Sequence, residues 1–272
     1  MNDTGFVALV DTGRDELRER IDEARQRFYR LARSANPHAR RRGLDWNVHQ
    51  VIAHVVCVAR RYQAVIEGRD FRRARHPREL DQINHEEMVA AMAPIPELLD
   101  ELVALEPVMD AFFDGLSDDY SIEFHCGAMV SGVVGQVNWL FDLLLHGEDI
   151  ARSIGMPWEI RERDMLLLLR EGLELAPAYL SPTVSPSTDI CVALRVPDAR
   201  PWVFHVHDAV VESRPLGPSD RPDAVLKVPA STMVRLLLHR IGPVTAALRG
   251  LRVVGGRRPW KAMKLQSCFE RV

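Results

Sequence analysis

The sequence predicts a two-domain α+β protein, with a helical bundle over residues 1–158 and a smaller α+β domain over residues 159–272. Three observations carry this. Apolar residues recur at helical spacing as far as Gly155. After Pro157-Trp158 the pattern changes to short runs rich in β-branched and aromatic residues, each bounded by Pro, Gly or Asp. The chain has 272 residues, 47% hydrophobic and 27% charged, which is enough to bury a core and excludes a fibrous or disordered protein.

The elements follow in order. Leu17, Ile21, Ala24, Phe28 and Leu31 define an amphipathic helix over about residues 13–34. Asn47, with Gln50 three residues on, forms a capping box that starts a second helix from Val48 to about Ile66, and Gly68 stops it. Residues 83–116 are helical in pattern, and Pro94, Pro96 and Pro107 must break or kink them. Phe124–Val130 is expected as a short extended piece, then a helix from about Ser131 to Ser153 stopped by Gly155. Four helical regions joined in this way suggest a bundle. One more helix falls near 163–176. Strands are expected at Ile190–Val196, Trp202–Val206, Ala209–Glu212 and Ala224–Val228. Ser231 is read as the cap of a helix through His239, Pro243 as the start of another ending at Gly250, and Leu251–Val254 as a last strand before a helical C-terminal segment.

Charge is segregated along the chain. Residues 1–78 carry a net +7, residues 79–151 a net −16 with no Lys or Arg, and residues 152–272 a net +6. If the first two segments pack as helices of one bundle, basic and acidic surfaces lie side by side. The overall −3 gives no footprint for nucleic acid. No apolar run is long enough to span a bilayer, and Met1–Gly5 lack the basic start and apolar core of a signal peptide. Four dispersed cysteines, with no CxxC pair, fit a reduced cytoplasm.

The helix at 131–153 is apolar nearly all round, yet Asn138, Asp142, His146 and Asp149 fall on one face at i, i+4, i+8 and i+11. A buried carboxylate costs several kcal/mol unless paired. Asp142 has no cation in its own segment, so its compensation comes from another helix, a water-filled cavity or a metal. His54 sits on the inward stripe of the second helix and can meet Asp142 and His146. Two imidazoles and a carboxylate make three ligands with open positions. A hydrogen-bonded His–Asp pair, with His54 elsewhere, accounts for the same spacing.

At these residues the sequence resembles a known family. Trp46-Asn47-Val48-His49-Gln50-Val51-Ile52-Ala53-His54-Val55 is similar to the W-T-V-x-D-L-x-A-H-L start of the second helix in mycothiol-dependent maleylpyruvate isomerase-like proteins, of the DinB-like superfamily. Asp142 to Ala151 is similar to that family's E-x-x-x-H-G-x-D-x-A motif, with Asp142 where the family has Glu. Leu236–Gly255 resembles the end of the sterol-carrier-like domain that often follows the bundle.

The resemblance implies a DinB-like four-helix bundle with a sterol-carrier-like domain, and a divalent metal, zinc first, on His54, Asp142 and His146. It implies mycothiol as cosubstrate or cofactor. His49, which departs from the acid or small residue common in the family, and Asn138 are expected to touch it. Asp149 is expected to orient a ligand histidine or to cap backbone. Arg240 is the best match to the family's active-site arginine, with Arg235, Arg249 and Arg252 competing. The implied activity is thiol S-transfer to an electrophilic small molecule or, alternatively, maleylpyruvate cis–trans isomerisation, in a cleft between the domains. No nucleic-acid or membrane partner is implied, and the oligomeric state is left open.

Two other readings remain: a non-enzymatic carrier of an apolar ligand, and a non-haem Fe(II) oxygenase built on the two-His-one-carboxylate set. His205 and His207 alternate on an expected strand and so share a face, as a ligand pair or as ordinary surface positions. Cys57 lies one turn after His54, and Cys126 follows His125, which is adjacency rather than geometry.

Overall fold

The computed structural model describes residues 13–117 and 119–270. The stretch Met1–Gly5 lies outside them. Helix α1 spans Arg14–Ser34, α2 Val48–Ile66, α3 Pro77–Ala91, α4 Ile95–Gly115 and α5 Gly132–Ser153. The Asn47–Gln50 capping box is present and sets the start of α2. The helical pattern expected from residue 83 begins earlier, at Pro77, because proline suits the first helical turn and the His76 side chain accepts from the Arg78 amide. The break falls at Met92–Pro94, and α4 continues through Pro107.

The charge segregation resolves into pairs between helices. Arg25 of α1 is buried and reaches Glu106 (3.0 Å) and Asp110 (2.9 Å) of α4. Arg60 of α2 pairs with Glu101 of α4, and Arg61 with Glu87 of α3, each at 2.6 Å. Tyr29 donates to Glu106 as well.

Of the single extended piece expected at Phe124–Val130, only Met129 and Val130 are in a strand; residues 124–128 form the turn of a small hairpin, β1 (Ser121–Glu123) against β2 (Met129–Ser131). Cys126 and Gly127 both take left-handed backbone between the strands, at φ 62° and 70°, which ends the extended run. His125 is buried there, accepting the Ala74 amide at Nδ1 (3.0 Å) and facing Arg61. Burial, then the Arg61 and Arg73 charges, pushes its pKa down to about 4. This imidazole is therefore tied into the loop rather than set up as a base for Cys126.

Helix α6 (Glu162–Leu175) follows, then β3 (Ile190–Arg195), β4 (Trp202–His207), β5 (Val210–Pro215), β6 (Ala224–Lys227), α7 (Ala230–Leu237), α8 (Pro243–Leu248), β7 (Arg252–Gly255) and the short α9 (Ala262–Leu265). The five strands form one sheet ordered β5-β4-β3-β6-β7, antiparallel except for the β3–β6 pair. Ser231 does not cap α7. Pro229 stands at the cap position, and the Ser231 amide donates to the Glu162 carboxylate instead (3.2 Å). The helix also stops two residues short of His239, whose φ is 54°.

One sheet face, with Ile190, Val192, Leu194, Phe204 and Val206, joins an apolar core that runs without interruption from Leu17 in α1 to Cys268. Helix α6 sits between α5 and α7 and links the helical array to the sheet. The chain entering α6 is pinned by Trp158, whose ring packs against Gly147 of α5 and which donates from Nε1 to the Leu144 carbonyl (2.9 Å). The Arg27 guanidinium covers the ring at 4.4 Å.

A Cβ at position 147 would stand 2.2 Å from the Trp158 ring. Gly147→Ala is therefore expected to cost about 1–3 kcal/mol of stability by overpacking. In a Trp158→Ala background the same change should cost far less. Denaturant titration of the four-member cycle checks this.

Candidate metal centre

Three side chains from two helices converge in the helical array. The α2 capping box fixes the first turn, so His54 projects two turns later into the space beside α5. Ser131 caps α5 through the Val134 amide, and the four-residue spacing then stacks Asp142 and His146 on one face. His54 and Asp142 are buried, and His146 nearly so. The two imidazoles meet edge to face with centroids 4.9 Å apart, and His146 Nε2 lies 3.4 Å from Asp142 Oδ1. Trp46 flanks the other side of His54 at 4.8 Å. One ligand atom from each of His54, Asp142 and His146 lies within 4.8 Å of the other two.

This arrangement fits a divalent cation. Ligand bonds of roughly 2.0–2.2 Å put donor atoms about 3.3 Å apart in a tetrahedral set, a contraction that small side-chain rotations supply. His54 Nδ1 is buried without a hydrogen-bond partner, an expensive state that a cation or a bound donor relieves. The N,N,O donor set suits zinc and similar ions.

A second ring of groups surrounds the three. His146 turns Nδ1 toward Asp149 at 3.5 Å, and Asp149 takes a two-pronged contact from Arg240, at 2.7 and 2.8 Å. Carboxylate on the far nitrogen is the arrangement that orients a ligand imidazole. Beside it, buried Glu148 is held by Arg235 and Arg152, each at 2.9 Å. Of the four candidate arginines, Arg240 and Arg235 thus reach α5. Arg240 is engaged with a carboxylate rather than presented to a reacting group.

Asn138, one turn before Asp142, accepts from Tyr62 (2.9 Å) and donates to Glu171 of α6 (2.7 Å), so its amide is committed within the array. His49 is not brought to this cluster. Its Nε2 lies 2.6 Å from the Ala93 carbonyl at the α3–α4 junction, because its place in the first turn of α2 faces α3 rather than α5. Cys57 is buried, and burial with the Glu87 charge raises its thiol to about 11, which keeps it protonated. Sequence reasoning missed Glu148 and Glu171. Their signal is an acid in an apolar helix, but the partners that settle each role lie on other elements.

Protonation is uneven across the cluster. Burial alone lowers the His146 pKa, but Asp142 and Asp149 outweigh it and hold it at about 9. Burial and the neighbouring His146 charge push His54 well down, so it stays neutral. Asp149 resists the upward push of burial because His146 and Arg240 favour its ionised form. A cation entering here therefore displaces a proton from His146.

The fold that emerges is a helical array holding two histidines and an aspartate, continued by a five-stranded mixed sheet. No family model matches the sequence, and no curated protein does. Among solved structures, the fold is similar to the crystal structure of the mycothiol-dependent maleylpyruvate isomerase, with a TM-score of 0.55 over 92% of this chain and 96% of that one, at 13% identity. A histidine-to-alanine mutant of that isomerase matches with a TM-score of 0.54, over the same shares and at the same identity. The likeness is one of fold and of mixed α+β class. Among the described residues, no helix is long and apolar enough to cross a membrane.

Glu171 gives a test of the cluster's floor. Burial raises its pKa to about 8, opposed by Asn138 and reinforced by the Asp142 charge. The folded pKa lies above the unfolded one. The stabilisation is therefore full below the ordinary carboxyl range and is lost as pH rises through about 8. Each pH unit separating the folded and unfolded pKa values corresponds to about 1.4 kcal/mol. Glu171→Gln should remove most of this slope, so its advantage over the parent grows from pH 5 to pH 8.5 in urea denaturation of the metal-free protein.

Proposed function

We propose that the protein is a divalent-metal-dependent thiol S-transferase of the mycothiol type, acting on an electrophilic small molecule. The observation that carries this is the convergence of His54, Asp142 and His146 on one buried point. A divalent metal held there supplies Lewis acidity that lowers the pKa of a thiol.

The chain's own groups have distinct tasks in this reading. His54, Asp142 and His146 bind the cation, and Asp142 also neutralises part of its charge. Asp149 fixes the His146 ring through Nδ1, and Arg240 keeps Asp149 ionised and in place. Trp46 and the apolar wall of α5 exclude water from the imidazoles. Cys57 and Cys126 have raised thiol pKa values, which favours an external thiol as the nucleophile.

Cis–trans isomerisation is the second reading, favoured by the fold likeness to a mycothiol-dependent isomerase. The two differ in whether a thiol adduct is released as product or reverses. In either case we place a boundary near residue 158 between a metal-binding bundle and a sterol-carrier-like domain, with the substrate entering at their junction. A low-molecular-weight thiol belongs to a reducing compartment, and this reading puts the chain in the cytoplasm.

His146→Ala should lower zinc affinity by about 100-fold or more while the helical circular dichroism is kept, and Asp149→Asn by about 10–100-fold. Asp142→Glu should retain binding, and Asp142→Asn should lose metal and thiol together, since an amide is a poorer ligand for a dication. Metal analysis followed by calorimetric titration of mycothiol into zinc-loaded protein reads all four. Zinc-loaded protein that binds no thiol would overturn the assignment.

A further inference from the structure

The sheet carries a second convergence of ligand groups, far from α5 in the chain. His205 and His207 alternate on β4 and project from the sheet face opposite the one that joins the core. Glu212 on β5 stands directly across from His205 in the register. One ligand atom from each of His205, His207 and Glu212 lies within 4.8 Å of the other two. The two rings are only 4.4 Å apart between centroids, and His207 Nε2 is 3.2 Å from Glu212 Oε1.

The outer nitrogens are already occupied. Asp189 sits 2.9 Å from His205 Nε2, and Asp208 lies 3.2 Å from His207 Nδ1. His205 thus has a carboxylate on Nε2 and keeps Nδ1 for a ligand bond, while His207 has Asp208 on Nδ1 and turns Nε2 toward Glu212, where an ion would lie between them. An ordinary cluster of surface ion pairs accounts for the acids. The two rings, 4.4 Å apart on one face, also stand close enough to share one ion.

The backbone supports the same assembly. The β4–β5 turn is Asp208–Ala209, both at positive φ (48° and 58°). A two-residue turn of that hand fixes the hairpin register, and alanine takes it at an energetic cost. That register sets Glu212 opposite His205 rather than on the other face.

We propose that His205, His207 and Glu212 form a second cation site, selective for imidazole-seeking divalent ions such as Zn²⁺ or Ni²⁺ over Mg²⁺ and Ca²⁺. It is independent of the His54–Asp142–His146 site. The ion clips β5, an edge strand, to β4 and so stabilises the rim of the sheet by binding the folded hairpin.

The test is calorimetric titration of Zn²⁺, and separately of Mg²⁺, into the apo full chain and into His146→Ala, His205→Ala/His207→Ala and Glu212→Gln variants, with thermal unfolding recorded alongside. The expected result is Zn²⁺ binding to His146→Ala that disappears when His205 and His207 are also replaced. Glu212→Gln should weaken this binding about tenfold or more, since removing a ligand costs at least as much as removing a group that only orients one. Mg²⁺ should not compete. The His205→Ala/His207→Ala variant should keep the α5 site but lose part of the Zn²⁺-dependent rise in Tm. If His146→Ala abolishes all Zn²⁺ binding, the sheet site is overturned and the α5 site stands. If instead all binding is lost with His205 and His207, the α5 reading fails and this one stands. If Zn²⁺ binding by His146→Ala is unchanged in Glu212→Gln, the assigned ligand set is overturned.

Discussion

The structure depends on how α5 buries its acids. Asp142, Glu148 and Asp149 are all inside the protein, in a segment from 79 to 151 that has no lysine or arginine. Leaving such carboxylates unpaired would cost several kcal/mol each, comparable to the whole stability of a domain. Their partners are His146 and Arg152 of the same helix, joined by groups from elements distant in sequence. Arg235 and Arg240 come from α7 and the loop after it. The same demand explains why the acidic α3 and α4 lie against the arginines of α1 and α2.

This constraint makes the helical array and the sheet parts of one electrostatic assembly. Glu148 and Asp149 are adjacent residues; Arg240 reaches both and Arg235 reaches Glu148, each arginine coming from beyond the sheet's central strands. Trp158 adds an apolar contact at the crossing between the halves, wedged over Gly147 in the middle of the same motif that carries His146. The glycine that follows His146 thus has a packing reason, apart from any reaction. The histidine before it and the acid two residues after it turn inward along the polar face.

Much of this was legible in the sequence. The bounds of α2 could be read because its cap, its inward stripe and its terminal glycine are all local signals. The polar stripe on α5 could be read because helical periodicity alone places its members on one face. Other features were not legible for identifiable reasons. The β1–β2 hairpin turns on a cysteine in left-handed backbone, which no propensity suggests. Ser231 has the chemistry of a cap, but Pro229 starts the helix and Glu162, nearly seventy residues earlier, takes the Ser231 amide. His49 belongs to the quoted motif, yet the helix rotates it toward Ala93. Asn138 and Glu171 complete each other across two helices, a pairing visible only once both are packed.

The link from His146 through Asp149 to Arg240 also bears on how such a chain could change over evolutionary time. Exchanging the sheet-bearing half for an unrelated one by recombination would remove Arg235 and Arg240, leaving Glu148 with Arg152 and Asp149 with His146. A graft that supplied cations at those two positions would restore the pairing. Recombination between the halves is therefore penalised by two arginines that sit outside the motif by which the helical half would be recognised.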